Sequence, residues 1–412
     1  MPNKPFETRS RRETELLLNI HRMEEARVAG PGSSGKDIRD VLWTISQAME
    51  EVGPEFTLDQ INSLIRHMAE KNEIMVIPGS VEGDDGHITR TAETIRLLGH
   101  TYEYWHQGRP GADAVRWLPV RKPIPDRNIG CTELIARLDS DLSEFTPEYS
   151  GSDLEAAVHE VVLGLSQRLG KGDPDKASYS EFQYRATRDT LLSSIGGDGK
   201  TQVLTAGVGS GKTIGFLLPS LILARYDELM NQRGATIVLY PRTALAKDQF
   251  KSLGKYSDSA GLTNGAVHSE MSDYYKKHFA SVSQGVRRVH GHGGGPLVIV
   301  STMETLKRRL QNPDFVRGVL PRLRRVIIDE VHLVNGMQGA HVATLMRRLR
   351  RLSGQELLWT ASSATIASPE DHVSRLFEVD SKSVDVVAPK DEELVTDGIQ
   401  NHVFVRPSGR IS

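Results

Sequence analysis

Three observations predict an α/β fold, a parallel sheet with helices on both faces, preceded by a mainly helical region. First, five short apolar runs, 203–205, 236–240, 297–300, 326–328 and 357–360, alternate with helical stretches from Tyr179 onward. Strands this continuously apolar are buried on both faces, which is the situation when crossover helices cover a parallel sheet. Second, the run at 203–205 passes into the turn Ala206-Gly207-Val208-Gly209-Ser210-Gly211-Lys212-Thr213 and then into the apolar helix start 214–218. Strand, glycine-rich turn and helix in that order is the context of a phosphate-binding loop. Third, three helix-period patterns fall before residue 70.

The 412 residues set an expectation of two to three domains at roughly 150 residues each. Apolar residues at 38% suffice for ordinary cores, and a net charge of −2 excludes a uniformly basic coat for nucleic acid. Any polyanion site must therefore come from local clustering. A single cysteine, Cys131, excludes an intramolecular disulfide and fits a reducing, cytoplasmic setting. No stretch approaches the roughly 20 apolar residues of a membrane span, and the first residues lack a signal peptide's apolar run. No membrane partner is expected.

The chain reads in order as follows. Leu16, Leu17, Ile20 and Met23 mark a helix within 9–30, which the glycine-rich loop 30–35 ends. A second helix is expected over about 36–52, with Ile38, Val41, Leu42, Ile45 and Met49 on one face, and Thr57 caps a third. A strand at 73–78 and a polar loop follow. This order resembles a winged-helix module, a unit that docks DNA or protein; a helical accessory domain with no nucleic-acid role fits equally. From Thr89 to Arg127, Tyr102, Tyr104, Trp105 and Trp117 are interleaved with arginines, a mixture that stacks on bases or covers a domain interface. Pro119, Pro123 and Pro125 read as a stiff connector. Helices are expected at about 132–145 and 154–169. The domains then divide as an accessory region, 1–150, a helix and linker, 151–178, an ATP-binding domain, 179–390, and a connector, 391–412.

The chemistry lies in the loops that follow the strands. Gly207, Val208, Gly209, Ser210 and Gly211 let successive backbone N–H groups converge on one anion at a helix N-terminus. Lys212 reaches the β- and γ-phosphates, and Thr213 offers its hydroxyl to Mg²⁺. An unliganded Gly/Ser loop is the bland alternative, and an eight-residue match behind a strand disfavours it. The strand at 326–328 ends in Asp329 and Glu330: the first suits Mg²⁺, the second is placed to orient or deprotonate a water.

With Ser363-Ala364-Thr365 behind the next strand, the chain resembles superfamily 2 helicase-type ATPases, on the Gly-Ser-Gly-Lys-Thr loop and the Asp-Glu-x-His box from Asp329 to His332. The resemblance implies a RecA-like domain using ATP and Mg²⁺, with His332, Ser363 and Thr365 coupling the nucleotide to nucleic acid. It also implies backbone contacts to nucleic acid, expected to be DNA, from Pro241, Arg242, Thr243 and Gln249 and from Ser301 and Thr302. Residues 336–352 are similar to the branch that holds the Lhr-type and mitomycin-repair helicases, and the chain also resembles the helicase subunit of the DISARM phage-defence system. The base-reading glutamine of the family has its nearest counterpart in Gln183, somewhat far from Lys212, while Thr187 sits near the expected spacing. Between Glu304 and Arg351, eleven Lys/Arg face four Asp/Glu, which supports partial contact with a polyanion. The paired His290 and His292 read as part of a flexible loop. Such motors use two RecA-like domains, the second supplying arginine fingers, and no second strand–helix series follows Thr365. The expectation is therefore a first motor half that needs a partner polypeptide or further segment. The rival is a nucleotide-binding regulatory or scaffolding subunit without turnover.

Overall fold

The computed structural model describes residues 10–29, 37–105, 112–197, 199–230, 234–260, 262, 267–269, 298–364 and 366–407. Thr365, the loop 30–35 and His290 and His292 lie outside them. The chain divides into one unit of residues 1–124 with 395–412 and a second of 125–394.

In the first unit, α1 (Arg11–Val28) starts at Ser10, whose hydroxyl and the Glu13 carboxylate close a reciprocal capping box. The single helix expected over 36–52 is instead broken. A 3₁₀ turn at Ile38–Asp40 leads to Trp43, whose backbone bridges to His87, and Thr44 then caps a short α2 (Ile45–Val52). Trp43 is taken out of helix because its indole Nε1 donates to the buried Glu24 at 2.9 Å. Thr57 caps α3 (Leu58–Glu70), and β1 (Ile74–Val81) pairs antiparallel with β2 (Asp84–Thr89). Three helices and a hairpin thus follow in the expected order. Beyond α4 (Arg90–Trp105), the proline-bearing segment lies in β3 (Ala112–Pro125), not in a free connector. Its partner is β13 (Leu394–Pro407), the segment expected to lead away from the chain's domains. Trp117 is buried and donates to Asn401 Oδ1 at 3.0 Å, which fixes it as core rather than base-stacking surface.

Glu24 also accepts from the Thr89 amide at 2.7 Å and from its hydroxyl at 2.5 Å, and burial pushes its carboxyl up to about 7. A carboxyl held above its unfolded value binds its proton more readily when folded. It favours folding below about pH 4.5, and that advantage is lost as pH rises through 7. Glu24→Gln keeps the acceptor for Trp43 and for the Thr89 amide without the buried charge. The expected outcome is a melting temperature equal to wild type near pH 5 and higher at pH 8, worth up to about 3 kcal/mol. Equal melting at pH 8 would contradict it.

The second unit holds β4 (Arg127–Gly130), α5 (Cys131–Phe145), α6 (Asp153–Leu169), β5 (Ser178–Ser180), α7 (Glu181–Gly196), β6 (Thr201–Thr205), α8 (Lys212–Leu229), β7 (Ala235–Tyr240) and α9 (Thr243–Ser259). It continues with β8 (Val267–Ser269), β9 (Val298–Thr302), α10 (Met303–Arg309), α11 (Pro313–Gly318), β10 (Leu323–Ile328), α12 (Gly336–Ser353), β11 (Leu358–Ser363), α13 (Pro369–Phe377) and β12 (Val384–Val387). Among the described residues, seven strands form one sheet in the order β12-β6-β11-β10-β7-β9-β8, every pair parallel. Alternate residues feed two cores. Leu204, Val238, Val300 and Ile327 pack with the helices α5 to α9, whereas Val203, Ile237, Leu239, Val326 and Ile328 pack with α10 to α13. This two-sided burial is why the strands read as unbroken apolar runs.

The helices α5 and α6, assigned by sequence to the accessory region and to a helix and linker, belong to the core of this second unit. Leu134, Leu138, Val158, Val161 and Leu165 are fully buried in it. A Cβ on Gly164 of α6 would collide with the Ser259 carbonyl at the end of α9, so the two helices touch backbone to backbone there. No described helix is long and apolar enough to cross a membrane.

Candidate nucleotide-binding site

Parallel strands deliver their loops to one edge of the sheet, the carboxyl edge, where ligands of open α/β sheets bind. The glycine turn after β6 begins tied to β11, the Ala206 amide donating to the Ser363 carbonyl at 3.2 Å. Gly209 and Gly211 take φ of +87° and +84°, the left-handed region that lets the loop double back and start α8. Ser210 is spent inside the loop, its hydroxyl donating to the Gly207 carbonyl at 2.7 Å. Gly207, Val208 and Gly209 are exposed. The Lys212 ammonium folds back over the loop, donating to the carbonyls of Ala206 at 2.5 Å and Gly207 at 3.3 Å. Burial pushes it below its ordinary value, while the charges of Glu330 and Asp329 pull it back up.

Asp329 directly follows β10 beside this lysine, its amide donating to the Leu239 carbonyl of β7 at 2.9 Å. Burial raises its carboxyl above the usual range, opposed by the Ser362 hydroxyl and by Lys212. Ser362, fully buried on β11, is a part of the site that sequence reasoning passed over. Its only signal was its place beside Ser363. The hydroxyl of Thr213 makes no hydrogen bond among the described residues, and Thr213 and the Asp329 carboxylate are the oxygen donors that could hold a hard Mg²⁺.

Glu330 has φ of +52°, an uncommon backbone state for a residue with a side chain and one found at functional sites. Its amide donates to Asp329 Oδ1 at 2.9 Å. The His332 Nδ1 lies 3.3 Å from Glu330 Oε2 and 3.3 Å from Ser363 Oγ. One imidazole therefore touches both the Asp-Glu box and the strand that anchors the glycine turn.

Gln183 reaches this site after all. It is the third residue of α7, in a capping box with Ser180, and its Nε2 donates to the Gly211 carbonyl at 3.1 Å. Thr187 is one turn on, buried, with its hydroxyl on the Gln183 carbonyl at 2.9 Å, so it plays no such part.

The expected nucleic-acid residues divide into two groups. Arg242 and Thr243 are exposed where β7 ends and α9 begins, with Pro241 and Gln249 half-buried beside them. Ser301 and Thr302 are buried. The Thr302 hydroxyl caps α10 through the Thr305 amide at 3.3 Å, and that of Ser301 donates to the Thr302 carbonyl at 3.3 Å. Since Tyr240 pairs with Thr302, both strand ends still share one edge. Most of the basic cluster at 304–351 is exposed, but several of its members are already engaged within the chain. Arg325 is buried on Asp227 at 3.2 Å, Arg348 donates to the Leu310 carbonyl, Arg347 pairs with Glu378, and Arg350 stacks on Trp359. Arg322, Arg324 and Arg325 also sit where β10 starts, at the amino edge away from the glycine turn.

Residues 180–373 match the family described as DEAD/DEAH box helicase. The chain is 28% identical over 251 residues to the uncharacterized ATP-dependent helicase YprA of Bacillus subtilis (strain 168), covering 58% of this chain and 30% of that protein. It is 27% identical over 187 residues to the ATP-dependent helicase HRQ1 of Saccharomyces cerevisiae (strain ATCC 204508 / S288c), covering 44% of this chain and 16% of that protein. The chain thus spans less than a third of the length of these relatives. The solved structure of the DUF1998 helicase MrfA bound to DNA aligns with a TM-score of 0.46 at 20% identity, over 76% of this chain and 37% of that one.

Proposed function

We propose, on the premise that residues 180–373 form a DEAD/DEAH box helicase domain, that this chain is the first motor half of an ATP-dependent nucleic-acid helicase or translocase. The observation that carries the reading is the convergence of Lys212, Asp329, Glu330 and Ser363 on one glycine turn, with His332 touching both Glu330 and Ser363. In this reading the loop amides and Lys212 hold the phosphates of ATP, and Thr213 and Asp329 hold Mg²⁺, which supplies charge neutralisation at the phosphates. Glu330 orients and deprotonates the attacking water. Any shift of Glu330 on hydrolysis passes through His332 to Ser363, and so to the strand behind the turn. An intact Glu330 speaks against a subunit without turnover.

DNA is the proposed track, crossing the carboxyl edge at Pro241, Arg242, Thr243 and Gln249, with Ser301 and Thr302 shaping the neighbouring turn from within. The likeness of residues 336–352 to the Lhr and mitomycin-repair branch supports this reading, and DNA repair or DISARM-type phage defence is the proposed setting. If Arg242 neutralises a phosphate, Arg242→Ala should lower the slope of log affinity against log salt by about 0.7 to 0.9. An unchanged slope in a fluorescence titration would leave Arg242 as ordinary surface.

The test of the whole reading is a steady-state ATPase assay. The 412-residue chain is expected to bind ATP and turn it over slowly. Adding a polypeptide with the second RecA-like domain should raise DNA-stimulated turnover by about 10³- to 10⁵-fold, the usual contribution of arginine fingers. Failure to bind ATP in calorimetry would overturn the reading. Robust turnover by the chain alone, lost in Glu330→Gln, would overturn the need for a second half.

A further inference from the structure

Two helices that precede the segment matching the helicase family bring three metal-ligating side chains together. Glu155 and His159 stand four residues apart on α6, so one face of that helix carries both. Asp139 comes from α5, and the donor atoms of the three lie within 4.8 Å of one another. Buried contacts set this spacing. Leu138, next to Asp139 in the chain, and Val158, next to His159, are fully buried in the shared core. A set of side chains built on packed helices is held more firmly than one on loops.

The residues between the helices, 146–152, orient both carboxylates. The Tyr149 hydroxyl donates to Asp139 Oδ1 at 2.6 Å, and the Gly151 amide donates to Glu155 Oε2. Burial, together with the bond to Asp139, pushes the Tyr149 phenol up, so it stays a donor. The second oxygen of Asp139 meets His159 Nε2 at 2.8 Å. An Asp–His pair alone would be a surface ion pair of little worth. Here a second carboxylate adjoins the same imidazole, and among the described residues no Lys or Arg pairs with either acid. Two carboxylates this close repel one another, and an ordinary imidazole is mostly uncharged at neutral pH. A divalent cation removes the repulsion. Hydrogen-bond partners on the outer oxygens of ligating carboxylates are a usual part of a metal centre.

We propose that Asp139, Glu155 and His159 bind one divalent transition-metal ion of the zinc type, bracing α5 against α6. The imidazole nitrogen disfavours Mg²⁺ and Ca²⁺, which take oxygen, and carboxylates in place of thiolates disfavour Cu⁺. Three protein ligands leave a fourth position to water, and the exposed His159 gives the ion a way in. On a tetrahedral ion with bonds of about 2.0 Å the donors stand roughly 3.3 Å apart. Binding therefore has only to part Asp139 from His159 slightly and draw Glu155 inward. Tyr149 shares a cavity wall with Arg324, Arg325 and Leu358, where β10 and β11 start. The site thus lies toward the amino edge of the sheet and is separate from the Mg²⁺ position proposed above.

The experiment is calorimetric titration of the full chain, stripped with chelator and free of nucleotide, with zinc chloride. Wild type should bind one equivalent more than Asp139→Asn or His159→Gln, a difference in which zinc taken by other histidines cancels. Each of these substitutions should weaken the site by more than about 100-fold. Tyr149→Phe keeps all three ligands but frees one carboxylate oxygen, and should cost about 10- to 100-fold. Zinc should raise the melting temperature of wild type and not that of His159→Gln. Matching melting curves without zinc guard against misfolding, since His159 is exposed. Equal stoichiometry and affinity in wild type and His159→Gln would overturn the proposal. So would displacement of the zinc by an equal concentration of Mg²⁺ or Ca²⁺, which would mark an ordinary acidic surface.

Discussion

Lys212→Ala is expected to weaken ATP binding at least about a hundredfold while the domain stays folded. The ammonium's hydrogen bonds go to two loop carbonyls, Ala206 and Gly207. Phosphate oxygens are far better partners, because both members of each contact are then charged. Hydrogen bonds to charged groups contribute about 1.5–3 kcal/mol each. Two of them lost, at about 1.4 kcal/mol per decade, give the stated factor. The fold should survive because alanine needs no partner and starts a helix well, and α8 is held by Phe216, Leu217, Leu221 and Ile222 in the core. Calorimetry on wild type and variant decides the matter, with a melting curve for each. Equal affinities would show that this lysine does not meet the phosphates.

Glu330→Gln is expected to behave oppositely, keeping ATP and losing about 10²- to 10⁴-fold in hydrolysis, the range for a general base. The amide matches the carboxylate in shape and can still lie beside His332, but it takes no proton from water. Its binding should be near wild type because Asp329 and Lys212 remain. Single-turnover hydrolysis in the presence of the second RecA-like domain reads the effect. Normal turnover would remove Glu330 from the water-activating role.

The strands of the sheet were legible because burial on both faces leaves no polar residue to blur an apolar run. β12 was not, since Val384 and Val387 are buried while Val386 between them is exposed. The helix expected over 36–52 failed for a different reason. Its apolar spacing was adequate, but the buried Glu24 recruits Trp43 from a distance that no local pattern reveals. Asp329 and Glu330 were readable because they directly follow a strand, and Lys212 because the glycine turn before it does. Gln183 was undervalued because counting residues to Lys212 ignores the path of α7, which brings it to Gly211. Ser301 and Thr302 show the converse: their types suit a phosphate, yet one hydroxyl caps a helix and the other is turned inward.

The pairing of β3 with β13 has a consequence for how the chain is made and cut. The 270 residues of 125–394 are spliced into the first unit between two of its own strands. During synthesis β3 must wait for all 270 residues of the second unit before its neighbour leaves the ribosome, and Trp117 waits with it for Asn401. The inserted unit is complete first. A truncation placed near residue 390, where a motif-based boundary would fall, removes β13 and strands β3 as an open edge, an invitation to aggregate. Cutting out 125–394 leaves the seven-stranded sheet whole, whereas removing 394–407 leaves β3 without its partner.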